Sequence, residues 1–224
     1  MTQPPAGEEA AALTERLGRL HTALLCDVLD AMGQPATFLG PHVRPLCGPP
    51  HVVGRVATMR IEAVEAPVVP AYRQLLQGLA DLQPGDVVVA AGAEPSPAGL
   101  WGELLSTAAQ ARGAVGAVMQ ALCRDVEEID TLGFPVFATG ASPLDSAGRV
   151  EVVETGGELV LAGGVVSPGD YVVGDRMGVV TIAREAVPEA VRRAEEKARG
   201  ETTVRSELAA GEDPREVFAR HGIL

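Results

Sequence analysis

Two short, continuous apolar segments constrain the fold of this chain more than any other feature of its sequence. They lie at 87–90 and 114–119, and neither alternates apolar with polar residues as a strand with one solvated face does. Continuous apolar strands are typical of parallel sheets that are covered on both faces. Between them, 102–112 has alanines and leucines on one helical face. The order strand, helix, strand predicts an α/β fold.

The other apolar patterns extend this unit into a mixed sheet. Two Pro-Gly-Asp turns, at 84–86 and 168–170, each precede an apolar strand. Apolar residues three to four apart predict helices, and β-branched residues in loose alternation predict strands. The further strands expected are 52–63, 134–138 and a hairpin of 171–173 with 179–182, and the further helices are 9–31, 72–82, 126–132, 187–210 and 214–218.

The length of 224 residues suits one generous domain with additions at its ends. Residues 1–8 contain prolines and acids, and we expect them to form a disordered tail. The segment 9–186 then forms a single α/β domain, and 187–224 forms a highly charged helical extension.

Composition excludes several classes of function. The net charge of −12, with scattered basic residues, argues against nucleic acid as the main partner. Three cysteines without a CxxC pattern favour a reducing, cytoplasmic setting. The N-terminus does not resemble a signal peptide, and no apolar run is long enough to span a membrane. Aromatic residues are only 3% of the chain, so the core must consist of aliphatic side chains.

The start of the helix at 102–112 is the first candidate site. A helix N-terminus has free backbone N–H groups and a partial positive charge, and so binds carboxylate or phosphate. Gly102 lets a ligand approach the backbone closely, and Glu103, Leu104 and Leu105 complete the first turn. The structural alternative is that Gly102 is only an N-cap and Glu103 only a favourable first-turn acid.

Arg124 and Asp125 form the second candidate site, because they follow the apolar strand 114–119. Neighbouring parallel strands place the residues after their carboxyl ends at one crevice. An arginine there can hold a carboxylate or an enolate, and an aspartate can hold Mg²⁺ or Mn²⁺. No histidine is close in sequence, which argues against zinc. A surface ion pair is the alternative interpretation.

Both candidates lie within stretches that resemble one family. The stretches are Trp-Gly-Glu-Leu-Leu-Ser-Thr-Ala-Ala at 101–109, Ala-Arg-Gly at 111–113, Arg-Asp-Val-Glu-Glu at 124–128 and Leu-Gly-Phe-Pro-Val-Phe-Ala at 132–138, with further matches at 22–29, 54–58, 84–88 and 167–170. The chain resembles the RraA-like family, whose enzymatic branch contains the class II 4-hydroxy-4-methyl-2-oxoglutarate/4-carboxy-4-hydroxy-2-oxoadipate aldolases.

The resemblance implies a role for each candidate residue. Gly102, Glu103, Leu104 and Leu105 would hold the substrate, with the first-turn amides on its carboxylate. Arg124 would contact the pyruvoyl oxygens. Asp125 would ligate a divalent metal, Mg²⁺ or Mn²⁺. Glu103, and Glu201 of a neighbouring subunit, would hold metal-bound waters.

The resemblance also implies a fold, an assembly and an activity. The fold would be a swivelling-type α/β/β domain with a mixed sheet and a long C-terminal helix, assembled as a homotrimer or homohexamer whose helical extension contacts a neighbouring subunit. The activity would be metal-dependent cleavage of a 4-hydroxy-2-oxo acid to release pyruvate, with oxaloacetate decarboxylation as a related reaction. The regulatory branch, which inhibits an RNA-degrading endonuclease, often lacks the aspartate that this chain keeps at Asp125.

Three departures from the family pattern are expected near the mouth of the pocket and leave the substrate open. Gln120-Ala121 replaces an acidic or amide residue followed by glycine, Met177 replaces an acid in the turn 174–178, and 90–94 lacks the usual aspartate. These changes also fit a non-catalytic RraA-like regulatory protein. A third interpretation is a lyase or isomerase that acts on a different oxo acid.

Overall fold

The computed structural model describes residues 6–34, 37–92, 96–161 and 163–223. Its helices are α1 (Ala6–Leu17), α2 (Thr22–Ala31), α3 (Arg73–Asp81), α4 (Glu103–Ala111), α5 (Val126–Leu132), α6 (Val187–Ala209) and α7 (Pro214–His221). Its strands are β1 (Thr37–Phe38), β2 (Arg44–Cys47), β3 (Val52–Ala63), β4 (Asp86–Ala91), β5 (Gly99–Trp101), β6 (Gly116–Met119), β7 (Leu122–Cys123), β8 (Val136–Ala138), β9 (Gly140–Ala141), β10 (Val150–Thr155), β11 (Leu159–Leu161), β12 (Gly164–Val166), β13 (Tyr171–Asp175) and β14 (Gly178–Ile182).

The main sheet is mixed, as the sequence predicts. Its strand order is β1-β14-β13-β3-β4-β6-β8-β2, and β10 pairs with the second half of β3. The central strands β3, β4, β6 and β8 are parallel, whereas β13, β14, β1 and β2 pair antiparallel. Strands β13 and β14, near one end of this order, contact β2 at the other end, so the sheet curls around an apolar core.

The continuous apolar segment of β4 is explained by burial on both faces. Val87 and Val89 point into the core enclosed by the curled sheet, where they join Phe137 of β8. Val88 and Ala90 point to the other face and pack under α3, α4 and α5. Alternate residues of one strand therefore enter two different apolar cores, and neither face of β4 is available to polar residues.

The predicted helix 9–31 is wrong as a single element, because it is divided into α1 and α2. His21 caps α2, and its Nδ1 accepts a hydrogen bond from the Leu24 amide at 3.2 Å. The amide and hydroxyl of Thr22 both donate to the Asp175 carboxylate at 2.8 Å. These bonds fix a new helix start at Thr22. The two helices pack with α6 on β13 and β14.

The ends of the chain also differ in part from prediction. Helix α1 begins at Ala6, inside the predicted tail 1–8, and residues 1–5 lie outside the described residues. Helix α6 continues through Gly200, where a Cβ would lie 2.8 Å from Ile223 Cδ1, so the glycine lets the end of the chain pack closely. None of the described helices is both apolar enough and long enough to cross a membrane.

Candidate functional site

A small three-stranded parallel sheet brings the two candidate segments together. Its strand order is β5-β7-β9, and Trp101 of β5 is paired with Cys123 of β7. Gly102 follows β5 and caps α4, while Arg124 follows β7. The Arg124 amide donates to the Trp101 carbonyl at 2.8 Å. Short strands with no clear pattern of their own thus place the start of α4 beside the start of α5.

The Asp125 carboxylate links the two helix starts. Its Oδ2 accepts a hydrogen bond from the Glu103 amide at 3.2 Å, and its Oδ1 accepts one from Arg124 Nε at 3.2 Å. The backbone of Asp125 is left-handed, with φ of 57°. The carboxylate therefore lies at the positive end of α4, where the helix dipole attracts its negative charge.

Gly102 is required by this close approach. A Cβ at this position would lie 2.5 Å from Asp125 Oδ2 and 3.0 Å from Arg124 Cγ. The backbone at Gly102 is extended, so the constraint comes from space and not from its dihedral angles. The group that approaches Gly102 in this structure is the chain's own carboxylate, and the approach of a ligand stays a prediction.

A buried hydrogen-bonded chain fixes the first turn of α4. Trp101 Nε1 donates to Ser106 Oγ at 2.8 Å, and Ser106 Oγ donates to the Gly102 carbonyl at 3.0 Å. Trp101 and Ser106 are both fully buried. The indole thus has a structural role and sets the position of the helix start.

These segments line a cavity of about 300 Å³. Gly102, Leu104, Leu105, Arg124 and Asp125 all line it, as does Asp145, whose Oδ1 is 3.9 Å from an Arg124 terminal nitrogen. The opposite wall comes from α3 and the residue before it. Sequence reasoning missed that wall and Asp145, because neither carries a recognisable motif.

The two glutamates predicted to act at the site are in different places. Glu103 stands in the first turn of α4, and its Oε1 accepts a hydrogen bond from Thr107 Oγ1 at 2.7 Å. Glu201 lies on α6 and lines a separate cavity of about 320 Å³ with Arg205. Within one chain, Glu201 is not brought to the Arg124 cavity, and its action on a neighbouring subunit stays a prediction.

Two of the three departures from the family pattern lie away from the residues that line this cavity, and the third, 90–94, extends beyond the described residues. Gln120 and Ala121 line a different cavity of about 550 Å³, and Gln120 Nε2 donates to the Leu39 carbonyl at 3.0 Å. Met177 is exposed in the β13–β14 turn, where its amide donates to Asp175 at 2.7 Å. The expectation that these changes border the Arg124 pocket is therefore not met within one chain.

The oxygen donors at this cavity fit a divalent cation of the magnesium type. Among the described residues, no group of three or more His, Cys, Asp or Glu could by itself hold a metal. Mg²⁺ is commonly bound through one or two carboxylates and keeps several waters. The partly exposed Asp125 carboxylate, with Asp145 on the same cavity, is such a donor set. The described residues that line the cavity include no histidine or cysteine, on which protein zinc sites are built, so the donor set does not fit zinc.

Comparison with known proteins gives one relative without an assigned function and one that is named as an aldolase. A protein of Methanocaldococcus jannaschii with no assigned function is 38% identical over 120 residues, which are 53% of this chain and 57% of that protein's length. A Halalkalibacterium halodurans protein, provisionally named 4-hydroxy-4-methyl-2-oxoglutarate aldolase, is 27% identical over 183 residues, or 80% of each chain.

Solved structures include a member of the RraA protein family. Streptomyces coelicolor RraAS2, described as an unusual member of the RNase ES inhibitor RraA protein family, is 26% identical, with a TM-score of 0.77 over 92% of this chain and 99% of that one. The family model described as RraA-like, Aldolase/RraA, matches residues 22–181, which include the whole Arg124 cavity. This chain belongs to the RraA-like family.

Proposed function

We propose that this chain is a divalent-metal-dependent lyase that cleaves a 4-hydroxy-2-oxo acid and releases pyruvate. The observation that carries the proposal is the convergence of the α4 N-terminus, Arg124 and Asp125 on one cavity. An anion site, a fixed cation and a metal-binding carboxylate are the groups that enolate chemistry requires. The aldolase name of the Halalkalibacterium halodurans relative supports the same reaction.

The helix start would bind the substrate carboxylate. The amide of Ser106 makes the first hydrogen bond of the turn, to the Gly102 carbonyl at 3.0 Å, and the Glu103 amide is taken by Asp125. The amides of Leu104 and Leu105 precede that first bond and have no intrahelical acceptor. They are the donors for a carboxylate at this end of α4.

Arg124 would hold the oxygens on which charge develops. Cleavage breaks the C3–C4 bond of the substrate, and C3 keeps the electron pair as the enolate of pyruvate. The proton of the C4 hydroxyl is released, C4 becomes a carbonyl carbon, and C3 gains a proton to form the methyl group. A divalent cation at Asp125 would supply a Lewis acid for the 2-oxo oxygen. Arg124 is already fixed by Asp125 and needs little reorganisation to stabilise the enolate.

Proton movement would use the two glutamates. Glu103 is oriented by Thr107, and Glu201 would reach the cavity from a neighbouring subunit. Together they would hold the water that takes the C4 hydroxyl proton and returns one to C3. We propose a homotrimer or homohexamer for this reason. Oxaloacetate would lose CO₂ through the same enolate.

The test is an assay of pyruvate release from oxaloacetate and from 4-hydroxy-4-methyl-2-oxoglutarate, with Mg²⁺, with Mn²⁺ and with EDTA. We expect release with metal and not with EDTA. Arg124→Ala should lower kcat by about 10²–10³ while the protein stays folded, because one preorganised charge at the enolate is lost. No release under any metal condition would contradict the proposal.

The structural relative RraAS2 favours a second function, a non-catalytic regulator that binds a ribonuclease. In that case Asp125→Ala would leave partner binding intact, because the metal site would have no role. If the chain binds neither Mn²⁺ nor a 2-oxo acid, that result would support the regulatory function. A lyase acting on a different oxo acid would instead bind both and release no pyruvate from either substrate.

A further inference from the structure

The Arg124 cavity has two walls of opposite character. One wall is charged and consists of Arg124, Asp125 and Asp145. The other is apolar, with Leu75 and Leu76 of α3 facing the cavity together with Leu104 and Leu105 of α4. Arg124 is the only cation among the described residues that line it.

The apolar wall includes two leucines whose side chains are largely exposed. Leu104 is 77% exposed and Leu76 is 56% exposed, although both border a cavity beside a buried core. Each Å² of apolar surface left in water forgoes about 25 cal/mol. Large exposed apolar residues around a concave site are typical of a ligand-binding wall.

Backbone strain is concentrated at the same cavity. Tyr72 and Asp125, with φ of 58° and 57°, are the two non-glycine residues with positive φ in the part of the chain that the structure describes. Both line this cavity. A left-handed aromatic residue is a genuine outlier, and such outliers cluster at functional sites. Tyr72 lies immediately before α3 and completes the apolar wall.

We propose that this wall binds the distal half of the substrate, and that this half is an alkyl or aryl group. The inference rests on the proposed function, which assigns Arg124 to the pyruvoyl end. A substrate with a second carboxylate would bring it against leucines, and the remaining charges that this chain supplies to the cavity are Asp125 and Asp145. Burial of that carboxylate without a cation is unfavourable. The preferred substrate class is therefore a 4-hydroxy-2-oxo acid with an apolar C4 substituent, cleaved to pyruvate and an apolar aldehyde or ketone, and dicarboxylates are the poorer substrates.

Two measurements test the proposal on the full chain with Mg²⁺. Calorimetry compares the binding of two uncleavable 2-oxo acids, 2-oxo-4-phenylbutanoate and 2-oxoglutarate, which differ in the distal group. Kinetics compares 4-hydroxy-2-oxo-4-phenylbutanoate, which yields benzaldehyde, with 4-hydroxy-2-oxoglutarate. We expect the phenyl compounds to bind at least about tenfold more tightly and to have the higher kcat/KM by a similar factor.

A matched pair of variants locates the effect. Leu76→Arg places a cation in the wall, and Val160→Arg places one on the β11–β12 hairpin, at a residue that is 80% exposed and lies outside the cavity. We expect Leu76→Arg to raise KM for the phenyl substrate and lower it for the dicarboxylate. Val160→Arg should change none of these values.

The outcomes separate this inference from the proposed function. Equal or tighter binding of 2-oxoglutarate by the unaltered chain would overturn the apolar class, even if oxaloacetate is decarboxylated. An unchanged preference in Leu76→Arg would also overturn it. Failure to bind either 2-oxo acid and to turn over oxaloacetate would overturn the proposed function, and the inference with it.

Discussion

At the scale of single residues, Gly102, Arg124 and Asp125 form one interdependent group. The Asp125 carboxylate fills the space that a side chain at Gly102 would occupy, and it accepts hydrogen bonds from the Glu103 amide and from Arg124. The position of the Arg124 cation therefore depends on the absence of a Cβ at Gly102, from which it is separated along the chain by α4, β6 and β7. A change at any of the three should alter the other two.

Substitution of Gly102 by alanine tests this dependence. The new Cβ would lie 2.5 Å from Asp125 Oδ2, so the carboxylate must move and Arg124 must move with it. We expect kcat to fall by at least about tenfold, since a catalytic group displaced by about 1 Å can cost 10²-fold. The melting temperature should change little. The control is Gly18→Ala, where the nearest atoms are at 3.4 Å, and its activity should match that of the unaltered chain.

Glu151 gives a second residue-scale prediction. It is 6% exposed, and it lies opposite Glu62 on the paired strand β3. Burial raises the pKa of the Glu151 carboxyl above its ordinary value. A raised pKa in the folded state means that the ionised carboxyl opposes folding, so this loss of stability sets in as the pH rises through that pKa.

Glu151→Gln should therefore stabilise the chain at neutral pH. We expect a higher melting temperature at pH 7, and a difference that shrinks as the pH falls toward about 4, where the carboxyl is protonated in both states. The matched control is Glu128→Gln on α5, whose exposed side chain should give no difference. A melting temperature for Glu151→Gln below that of the unaltered chain at pH 7 would contradict the account.

At the scale of elements, the break between α1 and α2 shows how a long-range bond determines a helix boundary. Asp175 accepts hydrogen bonds from the Thr22 amide, the Thr22 hydroxyl and the Met177 amide. Burial raises the pKa of Asp175, but these hydrogen bonds outweigh it and hold the pKa below its ordinary value. The depressed pKa gives stability at neutral pH that is lost as the pH falls.

Asp175→Asn should loosen the start of α2. We expect a loss of about 1–3 kcal/mol in the free energy of unfolding at pH 7, the usual cost of removing hydrogen bonds to a charged acceptor. The loss should narrow as the pH falls below about 3.9, the ordinary aspartate value, because the unfolded chain then takes up a proton more readily than the native carboxylate does. Urea unfolding at pH 7 and at about pH 3 measures both values. Asp81→Asn, at an exposed side chain that accepts hydrogen bonds from Gln77, is the control.

Predictability from sequence differed between elements for physical reasons. The strand 52–63 and the helix 126–132 were predicted with the observed bounds, because local pattern and burial agree there. The break at 18–21 depends on Asp175, which is 153 residues away from Thr22. Strands β5, β7 and β9 have two or three residues each, too few to show a period. The sequence indicated Arg124 and Asp125, whereas the apolar wall arises only when α3 packs beside α4.

At the scale of the whole molecule, the long C-terminal helix determines whether one chain contains a complete site. Glu201 lines a cavity with Arg205 and Leu208 on α6 and not the cavity at Arg124. If Glu201 acts in catalysis, it must do so on another subunit. The proposed reaction is in this way linked to the proposed homotrimer or homohexamer.

Co-expression of Arg124→Ala and Glu201→Ala chains with different tags tests this link. Each variant alone should be nearly inactive, because every site lacks one group. With random mixing in a ring, about a quarter of the sites would have Arg124 from one chain and Glu201 from its neighbour, so activity should reappear. Light scattering gives the subunit number in the same samples. Mixed assemblies no more active than the separate variants would contradict a shared site.

The most direct test of the central claim is metal-dependent pyruvate release from oxaloacetate, measured for the unaltered chain, Asp125→Asn and Glu128→Gln. Both variants change one carboxylate to an amide near the start of α5, but only Asp125 lines the cavity. The account predicts that the unaltered chain and Glu128→Gln release pyruvate with Mn²⁺ or Mg²⁺ and stop with EDTA, while Asp125→Asn loses the metal response. Equal metal-stimulated release by Asp125→Asn, or no release by any chain, would contradict it.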